Sequence, residues 1–326
     1  MTNREAIRRA DFTAGQLGDL GMLNPEQATK FIRFMTDNAV VLPLVTERQM
    51  KEQTVQLDFF NLQGRRLRKG TEAVAPASIG QIGEFSRKEL VAVEAVLPAD
   101  ITFNFIEDNL EKDGGEDMIV QEIARVVGND VEDLGLHGNG TLGAYVDANN
   151  NGVDDNSGLA PGDHNFLKIN SGWLKLMRDD ATAHKVALEA PETVAYWKDT
   201  AFPGLLAALP EKWKRKLDGL VYLVAPSAEE NYRQSLQGRF TGLGDAAITD
   251  RIRVNYMGIP IQPVPYLTDV RDVVLTNPKN MVYGIYRSIR VGRFVNERER
   301  QVEYTITLRT DYQVVLGDMV AVSTRA

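Results

Sequence analysis

Side chains able to do chemistry are sparse in this sequence. Cysteine is absent, which removes thiol catalysis, disulfides and cysteine metal sites together. Three histidines, His137, His164 and His184, stand apart, without the HExxH spacing that sets two imidazoles on one helix face. No GxSxG, GxxxxGK[ST] or GxGxxG falls where a strand would run into a helix. Isolated histidines mostly hydrogen-bond, and no nucleophile stands out. The acidic run Glu107, Asp108, Glu111, Asp113, Glu116 and Asp117 reads as a solvated helix face rather than an acid–base pair. The expectation is a protein without catalysis.

Two other clusters carry charge in a pattern. In DANNNGVDDNSG, Asp147, Asn149 and Asn151 alternate, Gly152 allows a tight turn and Asp155 follows. That spacing resembles the oxygen ligands of a calcium loop. Gly158 stands where a closing carboxylate would be, so the plainer reading is a polar surface loop. Calcium is the one cofactor to weigh. Further upstream, Arg65, Arg66, Arg68 and Lys69 place four cations within five residues. They repel one another and need anions from elsewhere. The run Lys212–Lys216 (KWKRK) is short and reads as a solvated turn rather than a nucleic-acid patch.

The elements that must position these groups follow from hydrophobic spacing. Ile119, Ile123, Val126 or Val127, Val131 and Leu134 lie on one stripe of a helix expected over 116–134. Glu122, Arg125, Asn129, Asp130, Glu132 and Asp133 fall on a solvated opposite face. Glu116 and Asp117 suit its N-terminus, and Gly135 is placed to close it in a left-handed conformation. Gly128 inside it marks tolerance or close packing. A shorter piece with Ile106 and Leu110 precedes it. Asn24 and Pro25 start a small helix carrying Phe31, Phe34 and Met35.

Thr54–Phe60 and Glu89–Val96 alternate as two strands around a long polar tip, which describes an extended hairpin. Helices are expected over 172–185 and 192–209, with 142–171 a loop. Leu220–Ala225 is a buried strand, and Ser227 and Glu230 form a capping box for a helix to about Gln237. Residues 239–254 look mobile, and 255–269 suggest a turn and an edge strand. The last third reads as sheet: 281–286, 289–295, 302–309 and 312–322, the last broken at Gly317-Asp318.

The 326 residues allow one large domain or two to three smaller ones. Hydrophobic content of 43% and charged content of 25% are ordinary for a globular protein. No apolar run is long enough to span a membrane, and the charged MTNREAIRRADF start is not a secretory signal. A net charge of −8 argues against coating DNA nonspecifically.

The long helix with its terminal LGLHGNGT turn resembles the spine helix of tailed-phage major capsid proteins, the Hong Kong 97 (HK-97-like) fold. GMLNPEQATKFI looks like the entry to that family's N-terminal arm. LVYLVAPSAEENYRQSL, YMGIPIQPVPYL, LTNPKNMVYGIYRSIRVGRF and DYQVVLGDMVAV resemble, in the same order, its face strand and helix, the small hairpin after it and its closing strands. The resemblance implies an α+β capsid fold with a long spine helix, mixed sheets, an extended N-terminal arm (1–50) and an extended β-hairpin, the E-loop (51–97). It implies a peripheral domain over 98–215 and 276–326, and an axial domain over 216–275.

The resemblance also implies function. The chain would self-assemble as pentamers and hexamers of an icosahedral phage head enclosing double-stranded DNA without sequence-specific binding. It would reside in the virion and assemble in the host cytoplasm. Scaffolding, portal and decoration proteins are the other expected partners, with no membrane. The sequence shows no long helical prodomain, which implies separate scaffolding or none. The four cations at 65–69 would then dock on the acidic run 107–117 of a neighbouring subunit. Lys69 lies in the arm from which some members crosslink, with no matching acceptor evident. The alternatives are an encapsulin-type nanocompartment shell and, in another class, a calcium-dependent surface-binding protein.

Overall fold

The computed structural model describes residues 31–36, 39–61, 84–104, 115–148, 152–189, 194–215, 219–236, 254–286 and 289–325. Helix α1 spans Gly115–His137. Ile123, Val127, Val131 and Leu134 are buried along it, as their spacing requires. Three features of α1 depart from expectation or sharpen it. Gly135 does not close the helix, which runs on to His137. A Cβ there would stand 2.8 Å from Tyr312 Cε1 and 2.9 Å from Trp173 Cζ3, so the missing side chain makes an aromatic seat. Gly128 is a point of close packing, since a Cβ would stand 2.7 Å from the Met35 carbonyl oxygen. Glu132 is not on a solvated face: it is fully buried.

Glu132 is buried because it serves another segment. Its Oε2 accepts hydrogen bonds from the Val40 and Val41 backbone N–H groups, at 2.6 and 2.9 Å. Those amides lie between a helical turn at 31–36 and strand β1 (Thr46–Met50) and have no sheet partner. A helix carboxylate therefore fastens the start of the described chain to α1. Phe31, Ile32, Met35, Val41 and Leu42 join the core beside it.

The central sheet is organised on β12 (Gln301–Val314), whose even-numbered residues Val302 to Val314 all face the core. Strands β10 (Met281–Tyr286) and β11 (Arg290–Asn296) follow one another along one edge of β12, and β4 (Val93–Thr102) takes the other. β1 adds in parallel to β10. The expected break between 302–309 and 312–322 is absent, because Tyr312 continues β12 and donates its hydroxyl to the Val131 carbonyl at 2.7 Å. Strand β1 falls in the stretch expected to be an arm.

The expected strand 89–96 is two strands. β3 (Glu84–Val91) pairs antiparallel with β2 (Thr54–Asn61) as the base of the hairpin. After Ala92 the chain turns into β4 and joins the central sheet. The break is built by hydrogen bonds that leave the ladder: Ala92 N–H donates to Gln53 O at 2.8 Å, and Val91 N–H to Asp311 Oδ2 at 2.6 Å.

A second sheet runs β5 (His184–Leu188), β13 (Ala321–Arg325), β9 (Val273–Thr276), β6 (Val221–Val224), β8 (Ile259–Pro263), β7 (Asn255–Tyr256). The helix expected over 172–185 ends early: α3 covers Trp173–Asp179 and β5 follows. The expected loop 142–171 holds a short helix, α2 (Pro161–Leu167). Residues 197–208 are helical, opening in a π-turn (Trp197–Ala201) before α4 (Phe202–Ala208), which tolerates Pro203 in its first turn.

α5 is Glu211–Lys214, and α6 starts at Pro226 rather than behind Ser227. The Ala225 carbonyl accepts from Ala228 and Glu229, so Ser227 lies inside the helix and is no cap. β7 and β8 form a tight hairpin in which Met257 and Gly258 both take positive φ, 48° and 83°, as a twisted two-residue turn demands. The Asn24 cap, the Ile106/Leu110 piece and the segment 239–253 lie outside the described residues.

Candidate assembly surfaces and the anchoring of the arm

The hairpin β2–β3 is fixed to the body at its root. Met50, Leu90, Ala92 and Val282 form a small apolar cluster of their own, with Val55 and Leu57 of β2 packed against it. Polar contacts ring this cluster. Lys88 reaches Asp180 at 3.3 Å. Gln313 Nε2 donates to the Glu89 carbonyl at 3.3 Å. Arg309 pairs with Glu94 at 2.7 Å and lies over the Tyr286 ring. Asp311 accepts the Val91 N–H, and burial pushes its carboxyl up to about 6 against the pull of that bond and of the Tyr312 N–H.

In the sequence Val55 and Leu57 alternate within 54–60 and Leu90, Ala92 and Glu94 within 89–96, with nothing to name what they pack on. Lys88 falls just before the expected strand 89–96, and Arg309 closes the expected strand 302–309. Asp311 falls in the expected break between 302–309 and 312–322; its place opposite Gly284 and the hydrogen bond it accepts from the Val91 N–H give it a task. Farther out, Arg87 pairs with Asp58 across the hairpin at 2.7 Å. The tip cations Arg65, Arg66, Arg68 and Lys69 lie outside the described residues, as do Glu107, Asp108, Glu111 and Asp113. Glu116 and Asp117 are in the first turn of α1, where the helix dipole favours carboxylates.

The structure does not bring the histidines together. His137 meets Asp133 at 2.8 Å, one turn back on α1. His184 meets Asp318 at 3.2 Å, where Lys212 also pairs with that carboxylate. His164 is buried, 3.9 Å from Asp154 and edge-on to Tyr145. Lys214 of the KWKRK run pairs with Glu211.

Within the 147–158 loop, Asp147 accepts from Gly152 N–H and Asp155 from Ala148 N–H, both at 2.8 Å. Asp154 is buried and takes the Val146 and Ser157 N–H groups; the Ser157 hydroxyl, above all, holds its carboxyl below the ordinary range. The described carboxylates thus close the loop on itself. Asn149 and Asn151 lie outside the described residues. Among the described residues no group of three or more His, Asp or Glu is arranged to hold a metal ion. No described helix is long and apolar enough to cross a membrane.

The central sheet exposes apolar side chains. β11 is an edge strand with Phe294 64% and Val295 44% exposed, and Val96 on β4 is 53% exposed. Pairing through Glu303 and Thr307 sets Phe294 and Val96 on the same outer face of the sheet. Among the described residues β11 pairs on one side only, which leaves a strand edge beside exposed apolar side chains.

No family model matches the chain. It is 28% identical to the putative prophage capsid protein YqbE of Bacillus subtilis (strain 168) over 333 aligned positions, covering 98% of both chains. Among solved structures, the satellite phage P4 procapsid, which includes a size determination (Sid) protein, superposes with a TM-score of 0.69 over 91% of this chain and 90% of that one, at 14% identity. The fold is that of the Hong Kong 97-type major capsid proteins. The capsid of an empty GTA particle has the same fold, with a TM-score of 0.56 at 11% identity over 89% of this chain and 90% of that one. In this fold α1 and the β2–β3 hairpin meet on β12, through the Tyr312 hydroxyl on the Val131 carbonyl and the Asp311 carboxyl on the Val91 N–H.

Proposed function

We infer that this chain is a phage major capsid protein, a structural and non-catalytic subunit that assembles with copies of itself into the virion shell. The observation that carries this reading is end-to-end similarity to a prophage capsid protein, on a fold shared with assembled capsids. Neither the nanocompartment nor the calcium-dependent binder is favoured by that similarity. Electron microscopy of the purified full-length chain tests it: closed shells support it, and a protein that stays monomeric under every assembly condition, scaffold included, contradicts it.

The finer reading supplies the shell's parts. Pentamers and hexamers would close an icosahedral head around double-stranded DNA held without sequence-specific contacts, assembled in the host cytoplasm with scaffolding, portal and decoration proteins as partners. The peripheral part would comprise 98–215 and 276–326, and the axial part 216–275. The second sheet takes β5 and β13 from outside 216–275, so these two strands would tie the lobes together. The tip cations Arg65, Arg66, Arg68 and Lys69 would dock on Glu107, Asp108, Glu111, Asp113, Glu116 and Asp117 of the next subunit. Calcium at Asp147, Asn149, Asn151 and Asp155 would have to compete with the loop's own amide hydrogen bonds.

A further inference from the structure

The hairpin of β7 and β8 carries a methionine where the backbone suits a different residue. Tyr256 pairs with Ile259, so Met257 and Gly258 alone make the turn. Both flanking side chains are buried, and β8 is fixed in parallel register along β6. Tyr256 packs edge-on to Tyr222 and Tyr232 and tilted against Phe202. The turn cannot slip by one residue without exposing that face, so Met257 is held at a φ of 48°. That left-handed region is open to glycine and tolerated by asparagine, and it strains other side chains.

The side chain so placed is left largely uncovered. Met257 is 68% exposed, more than any other large hydrophobic residue among those described. A Cβ built on Gly258 meets no atom within 4 Å, so the tip of the turn stands clear of the body. β7 is also the last strand of the second sheet, at the opposite end from β5 and β13. Strain and apolar exposure both act against the free subunit, and asparagine at 257 would relieve both. The methionine is favourable only where something outside the subunit covers it.

We propose that Met257 is an assembly contact: the tip of the β7–β8 hairpin is covered by a neighbouring copy of this chain.

This inference rests on the reading that the chain assembles with copies of itself. Charge favours a copy as the occupant. Residues 254–268, VNYMGIPIQPVPYLT, contain no Asp, Glu, Lys or Arg, in a chain whose charged content is 25%. Symmetry can therefore bring equivalent hairpins close without setting their own like charges against one another. Methionine is unbranched and adaptable, so it fits apolar surface presented at more than one angle.

Hydrogen peroxide footprinting of the full-length wild-type chain, free and assembled, reads the contact directly. Met257 should oxidise readily in free subunits and about tenfold more slowly in shells, since oxidation follows exposure. Met177, buried within the subunit, should react slowly in both. Met257→Asn should leave free subunits melting at or above the wild-type temperature, because the turn is relieved. The same variant should raise the protein concentration needed for assembly about tenfold. Met257→Leu, still apolar and equally strained, should assemble as wild type does. Shells in which Met257 oxidises as fast as in free subunits overturn the proposal even if neither variant folds, and so does Met257→Asn that assembles like wild type. Protection that appears only when a different protein is bound to the shell overturns the second copy as occupant. A wild-type chain that forms no shells contradicts the assembly reading itself and removes this contact with it.

Discussion

Glu132 shows how one side chain can settle the path of a distant segment. Its position on α1 fits a solvent-facing charge, and periodicity alone assigns it there. The chain at 39–42 crosses above it with two amides that no strand satisfies, and buried amides must be paired. The carboxyl meets that need, and burial pushes its pKa up. Glu132→Ala should therefore lower stability by about 1–3 kcal/mol, because it leaves the Val40 and Val41 N–H groups without an acceptor. Glu132→Gln keeps an acceptor and removes the buried charge, so denaturant titration should find it at least as stable as wild type. Gly128→Ala should be destabilising by about 1–3 kcal/mol through overpacking against the Met35 backbone, despite Ala's better helix propensity. The sequence allowed close packing at Gly128 but could not name what approaches it, since Met35 is remote along the chain.

Elements whose identity rests on local spacing were legible. The stripe of α1, the alternation of β12, β2 and the short buried β6 follow from periods of 3.6 and 2. Truncating that stripe gives a direct check: Ile123→Ala should lower the melting temperature of unassembled subunits by an amount equivalent to about 2–5 kcal/mol. Loss of particle yield at unchanged subunit stability would instead make this face an interface. Elements defined by long-range partners were not legible. β1 forms because β10 offers an open edge, β5 because β13 does. The alternation from Glu89 to Val96 looks continuous, yet Ala92 divides it between hairpin and body, because its N–H leaves the ladder for Gln53. Gly135 looked like a terminus because glycine often ends helices. Here it is spent on the approach of Tyr312 and Trp173. The absence of catalytic spacing, by contrast, needed no partner to be read.

At the scale of the whole molecule, the subunit exposes Phe294 and Val295 on the edge strand β11 and carries a hairpin whose base is fastened to the central sheet by an apolar cluster and a ring of polar contacts. Both features suit repetition, since closed symmetry multiplies each weak contact over many copies. The tip charges belong to this scale. Exposed ion pairs contribute about 0–1 kcal/mol each, so their effect should appear in shell yield and fade as salt screens them. Reversing Arg65, Arg66 and Arg68 to Glu should leave folded subunits and few shells, and Lys at Glu111, Asp113 and Glu116 should restore part of the yield. Unchanged assembly of the triple reversal across ionic strength would assign the docking to other contacts. The most direct test of the central claim is electron microscopy of the purified full-length chain, with and without the products of its neighbouring genes. The account predicts closed shells of uniform size built from this chain alone or with a scaffold; a chain that remains a monomer or small oligomer under all of these conditions would contradict it.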